Sequence, residues 1–263
     1  IDAAPTSVEE FEADMQTAKD AGILPMMTYA KDGGTSFVFQ ALMANNSSAE
    51  DVQNWILQKS GTFDNQAAQD AASTLQDWNN KGYMPEGVNA VDASTALSRF
   101  CNGEGLFFPS GNWNLDTVAK ALGDDVQFFA FPGATSEDEP NVAANAGAFY
   151  GIPVNAKNRD AAAAFLDYTQ SAEAQQIIVD NSGYLPKSST LDLKANSALQ
   201  QSMFDAYADV LTSGHTSDFI NNATAGMQSS GLIPNFQLLL DNSITPQEFT
   251  KNVQAQYDKE AKR

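Results

Sequence analysis

Along most of this chain, short apolar runs alternate with longer stretches in which apolar residues recur every three to four positions. That alternation constrains the fold more than any other feature. A strand-length apolar run must be covered, and an amphipathic helix is the element that covers it. The runs lie at 23–29, 105–109, 126–131 and 149–154. Around them, Val8, Phe11, Met15 and Ala18 share one helical face behind the capping pattern Thr6-Ser7-Val8-Glu9, and Gly22 closes that helix. Residues 36–45 form a helix carrying Phe37, Phe39 and Leu42, and residues 65–80 set Ala68, Ala72, Leu75 and Trp78 on one side. Shorter helices are expected at 95–100, 115–122, 160–169, 171–180 and 197–211. Thr245-Pro246-Gln247-Glu248 opens a terminal helix lined by Phe249, Val253 and Tyr257. The acidic, proline-containing stretch 132–145 reads as an exposed loop. The pattern predicts an α/β protein.

Charge narrows the function. The chain of 263 residues carries a formal net charge of −19. A field of that sign repels nucleic-acid phosphates and anionic lipid surfaces, so neither is an expected partner. Its bland reading is solubility. One cysteine, Cys101, allows no internal disulfide, and there is no Cys/His metal cluster, so no metal and no cofactor are expected. No apolar run is long enough to span a membrane, and no signal segment is visible within the chain.

Catalytic machinery is equally thin. The single histidine, His215, sits in a polar loop without a nucleophile elbow, and no phosphate-binding or dinucleotide glycine pattern is present. Cys101 reads as a small buried residue. The acidic clusters Glu9-Glu10 and Glu137-Asp138-Glu139 read as a helix first turn and a solvated loop. A carboxylate pair for glycoside hydrolysis stays open as an alternative. So does an adhesin-like surface role, which would need a large apolar patch.

The tryptophans separate into two kinds. Trp55 and Trp78 fall at helical spacing among apolar neighbours and read as core. Trp113 follows a strand-like run, in Ser110-Gly111-Asn112-Trp113-Asn114, where an open α/β sheet places ligands. Its indole is either a flat platform for the C–H face of a sugar ring or a core residue, and the flanking Asn112 and Asn114 could bond hydroxyls.

Four segments, in this order, resemble the family 1 extracellular solute-binding proteins of bacterial ABC importers, the maltose-binding-protein-like group. They are Pro5-Thr6-Ser7-Val8-Glu9-Glu10-Phe11 with Ala21-Gly22-Ile23; Phe100 to Phe108 running on to Gly111-Asn112-Trp113; and Phe131-Pro132-Gly133 through Gly151-Ile152-Pro153 and Asn155-Ala156-Lys157-Asn158 to Gly183-Tyr184-Leu185-Pro186. The fourth is the terminal Thr245-Pro246-Gln247-Glu248 helix. Val8 stands where the family usually has tryptophan, and Gly105-Leu106 where it has Ala-Met.

The resemblance implies a two-lobed periplasmic-binding-protein fold, here with one complete lobe and a remnant of the other. Residues 1–140 and 190–263 would form the second lobe and 141–189 would belong to the first. The implied function is capture of a sugar, with oligosaccharides foremost, in an interlobe cleft that closes by a hinge and docks on the permease subunits in the membrane. A cationic or peptide solute is the alternative within that reading. The resemblance places the protein on the extracellular face by a lipid anchor or in a periplasm, as a non-enzymatic monomer. It carries Trp113 over as a ligand contact, with Gly111 and Asn112 beside it. The loop Asn145, Gly147 and Ala148 is a further contact, and so are Tyr29, Asp32 and Gly34. Tyr184 is either a contact or a packed turn aromatic.

Overall fold

The computed structural model describes residues 3–144, 150–182 and 193–261. It is an α/β chain made mostly of helix. Among the described residues eleven α-helices follow in order: α1 (Val8–Asp20), α2 (Thr35–Asn45), α3 (Ala49–Ile56), α4 (Gln66–Asn80), α5 (Ala93–Cys101), α6 (Leu115–Leu122), α7 (Arg159–Tyr168), α8 (Ala172–Ser182), α9 (Ala198–Ser213), α10 (Ile233–Leu240) and α11 (Pro246–Glu260). A π-turn, Met227–Leu232, leads into α10.

Local chemistry explains where the helices begin. Ser7, Ser48, Asn65, Asp92 and Thr245 each hold extended backbone and accept a hydrogen bond from an amide in the helix's first turn. At α11 the capping box is complete, with Glu248 accepting from the Thr245 amide at 2.8 Å. At α1 the cap is Ser7, one residue later than expected, and Glu10 reaches back to the Thr6 amide at 2.8 Å. Two helical stretches received no bounds from the sequence, although Trp55 falls at helical spacing. The short, mixed-polarity α3 is one, and 227–240, interrupted by Gly231 and Pro234, is the other.

The strand-like runs are extended, but they hardly pair. Leu106 and Phe107 donate to the carbonyls of Leu24 and Pro25, and Met27 donates back to Phe107 at 2.7 Å, making one parallel bridge at Met26. The runs 126–131 and 150–154 carry no ladder. The paired strands among the described residues are β1 (Val142–Ala143) and β2 (Thr216–Ser217), which run parallel. They fall in stretches that read as loop. Their pairing joins residues more than seventy positions apart, which no local pattern reveals.

Two compact units emerge. The larger comprises 1–110, 129–145 and 207–263, and the smaller 111–128 and 146–206. This division differs from the expected 141–189 segment, because α6 packs on α8 and draws the stretch around Trp113 into the smaller unit.

The larger unit has one aromatic core. Phe39, on the almost wholly buried α2, lies 5.2–5.7 Å from the rings of Phe63, Phe236 and Phe249. Trp55 stacks on Tyr257 at 4.7 Å, and the Tyr257 hydroxyl donates to the Trp55 carbonyl at 2.9 Å. The Phe63 amide donates to Gln254 Oε1 at 2.5 Å. Trp78 is fully buried with its Nε1 donating to Glu12 at 2.7 Å. Trp55 and Trp78 are therefore core, as expected. In the smaller unit Leu115, Val118, Val179, Leu199 and Met203 are buried.

Candidate functional site

The expected site residues fall into three groups. Gly111, Asn112 and Trp113 lie in the smaller unit, while Tyr29, Asp32 and Gly34 lie in the larger. Asn145, Gly147, Ala148 and Tyr184 lie outside the described residues.

Trp113 sits in a single 3₁₀ turn, Asn112–Asn114, directly before α6. The Asn114 amide donates to the Gly111 carbonyl at 3.2 Å, which closes the turn. The indole folds back over Gly111, so closely that a Cβ there would overlap ring atom Cζ3. Glycine at 111 is thus what lets the ring lie against the backbone. The next residue, Leu115, is buried and anchors the turn. Trp113 itself is 42% exposed, so it is not a core residue. Asn112 beside it is half-buried.

The second group is a tight loop ahead of α2. Tyr29 is buried against Gly34, where a Cβ would lie 2.5 Å from the ring carbon Cζ. Burial, reinforced by the Asp32 charge, pushes the Tyr29 phenol up. Asp32 is exposed and accepts from the Ala93 amide, at the start of α5, at 2.9 Å. Lys31 pairs with Asp92 at 3.3 Å, so the loop is tied to α5 at two points.

Other expectations are quickly placed. His215 is exposed, and its carbonyl accepts from Val142 at 3.0 Å. Cys101, the last residue of α5, is half-buried rather than buried; burial still pushes its thiol up, away from the reactive thiolate. A cavity of about 480 Å³ lies near the ends of α4 and α10, lined by Asn79, Glu86, Asn89 and Asp241 among others; none of the expected site residues reaches it. Among the described residues Asp14, on α1, has its carboxyl raised by partial burial. No helix among them is long and apolar enough to cross a membrane.

A family model described as bacterial extracellular solute-binding protein matches residues 1–204. The chain belongs to that family. Its fold is also that of solved members. A chitin oligosaccharide binding protein superposes with a TM-score of 0.79 at 18% identity, covering 98% of this chain and 65% of its own. A sugar transporter from Bacillus licheniformis, in complex with stachyose, gives 0.72 at 12% identity, with 98% and 67% covered. A family 1 extracellular solute-binding protein from Bifidobacterium longum subsp. infantis gives 0.70 at 19%, again with 98% and 67% covered. This chain therefore spans about 65% of the length of the first of these structures. No curated protein matches it.

Proposed function

We propose that this chain is the solute-capturing component of a bacterial ABC importer and that its solute is a sugar, with oligosaccharides foremost. One observation carries the ligand class: a partly exposed tryptophan seated on a glycine, with asparagines on both sides in sequence. A broad indole face stacks on the apolar C–H face of a pyranose, and amides bond the ring's hydroxyls. Membership of a binding-protein family and structural neighbours named for chitin oligosaccharide and stachyose support the same reading.

In this reading the protein makes and breaks no covalent bond. The solute is taken up in the interlobe cleft that the family resemblance implies, and closure presents a surface to the permease. The protein works as a monomer on the extracellular side, anchored by lipid or free in a periplasm. Residues 1–140 and 190–263 correspond to the second lobe and 141–189 to the first; 111–128 and 190–206, which cluster with the smaller unit, and 141–145, which clusters with the larger, are where that correspondence departs from the compact units. Asn145, Gly147, Ala148 and Tyr184 complete the contacts.

The test is isothermal titration with chitin oligosaccharides, stachyose and, as a cationic control, spermidine. Heat with a sugar and none with spermidine supports the reading. Heat with spermidine alone sinks it.

A further inference from the structure

The chain contains one Asn-Gly step, Asn102-Gly103, and no part of the proposed function uses it. Glycine after asparagine leaves the main-chain nitrogen unshielded, because no Cβ stands beside it. Both residues are exposed, and a Cβ added to Gly103 would meet nothing within 4 Å, so water reaches the step.

The chemistry open to such a step is deamidation. The Gly103 amide nitrogen loses its proton to base and attacks Asn102 Cγ. A C–N bond forms, closing a five-membered imide, and the bond from Cγ to the side-chain nitrogen breaks, releasing ammonia. Water then opens the imide at either carbonyl. One opening leaves aspartate; the other leaves isoaspartate, with the main chain rerouted through the side chain. The balance is one water consumed and one ammonia released, and nothing is oxidised or reduced.

The fold sets the starting geometry. Asn102 caps the C-terminus of α5 with φ −89° and ψ 10°. At that ψ the Gly103 nitrogen eclipses the nitrogen of Asn102 and not its Cβ, so the imide ring cannot close. The Gly103 amide is also engaged. It donates to the Phe100 carbonyl at 2.8 Å, and the next amide, of Glu104, donates to the Arg99 carbonyl at 3.1 Å. The Arg99 and Glu104 side chains pair across the same turn. Before the ring forms, the Gly103 hydrogen bond has to break and ψ of Asn102 has to rotate.

The product matters because of where it lies. A carboxylate at 102 stands at a helix C-terminus, where negative charge is disfavoured. The isoaspartyl form adds a methylene to the main chain just ahead of Gly105, where a Cβ would stand 3.0 Å from the Cβ of Met27. Leu106 and Phe107, which dock on the carbonyls of Leu24 and Pro25, follow directly.

We propose that Asn102-Gly103 is a deamidation site locked by the C-terminal turn of α5, so that modification accumulates only through excursions in which that turn opens. This stands apart from sugar capture.

The full chain is held in mildly alkaline buffer, folded, and in parallel unfolded in guanidinium. Peptide mass spectrometry follows conversion of residue 102, and isoaspartyl methyltransferase labelling identifies the rerouted product. Residue 102 converts in the unfolded chain and about tenfold or more slowly in the folded one, the factor for one hydrogen bond that must break first. Hydrogen exchange supplies an independent readout: the slowing of conversion is at least as large as the protection of the Gly103 amide, since both need the same opening. No conversion at 102 in the unfolded chain overturns the site. Equal rates in the folded and unfolded chains overturn the lock. So does a Gly103 amide that exchanges without protection in a folded chain whose residue 102 stays intact.

Discussion

Gly34 lies flat against the ring of Tyr29, with no room for a methyl group between them. The backbone conformation at 34 is ordinary, φ −61°, so the demand is steric. Gly34→Ala should therefore destabilise the protein by about 1–3 kcal/mol, the usual cost of overpacking. Most of that cost should vanish in a Tyr29→Ala background, because the clash is with the ring. A double-mutant cycle by urea denaturation measures both.

Gly111 and Trp113 stand in the same relation, but with the opposite expected readout. The indole is at the surface, so Gly111→Ala should move it without unfolding the smaller unit. Sugar affinity should then fall about as far as in Trp113→Ala, tenfold or more for loss of a buried aromatic contact. Titration calorimetry gives the affinities. Near-ultraviolet circular dichroism reports whether the indole has moved.

Hydrogen bonds hold several carboxyls below the ordinary range, four of them at helix ends. Glu10 and Glu248 accept from the backbone and side chains of Thr6 and Thr245, Glu260 from the Gly226 amide, and Asp92 from Thr95, Ser94 and Lys31. Each ionises more readily in the folded chain, so acid favours the unfolded one, which binds the extra protons. Their contribution is fully present above the ordinary carboxylate range, near about 4, and is lost as pH falls below it. The urea midpoint should fall from pH 5 to pH 2.5, and Asp92→Asn should flatten that fall.

Thr245→Ala removes one half of the capping box. The expected cost is about 1 kcal/mol. Because α11 closes the aromatic core, the loss should appear in the global unfolding transition and not only as fraying of the last turn.

Phe39→Ala should cost about 3–5 kcal/mol, since the ring meets three other buried rings and its site cannot collapse. Denaturation followed by tyrosine fluorescence checks it.

What the sequence revealed and what it hid have physical reasons. The face Ala68, Ala72, Leu75 and Trp78 was legible because α4 buries one stripe, and periodicity records burial directly. The Thr245 box was legible because its partners are three residues apart. Trp113 was half-legible: the residues around it left platform and core open, and its exposure excludes only the core. The runs near Met26 and Phe107 were recognised as buried and extended, yet their near-lack of ladders depends on partners far along the chain.

The aromatic core also fixes an order of events during synthesis. Phe39, Trp55 and Phe63 leave the ribosome well before the residues that seal them, Phe249, Gln254 and Tyr257. Until the second group emerges, the nascent larger unit therefore exposes a sticky aromatic face. Any product that stops short of Pro246 keeps it, and chaperones and proteases would recognise such a product as unfinished.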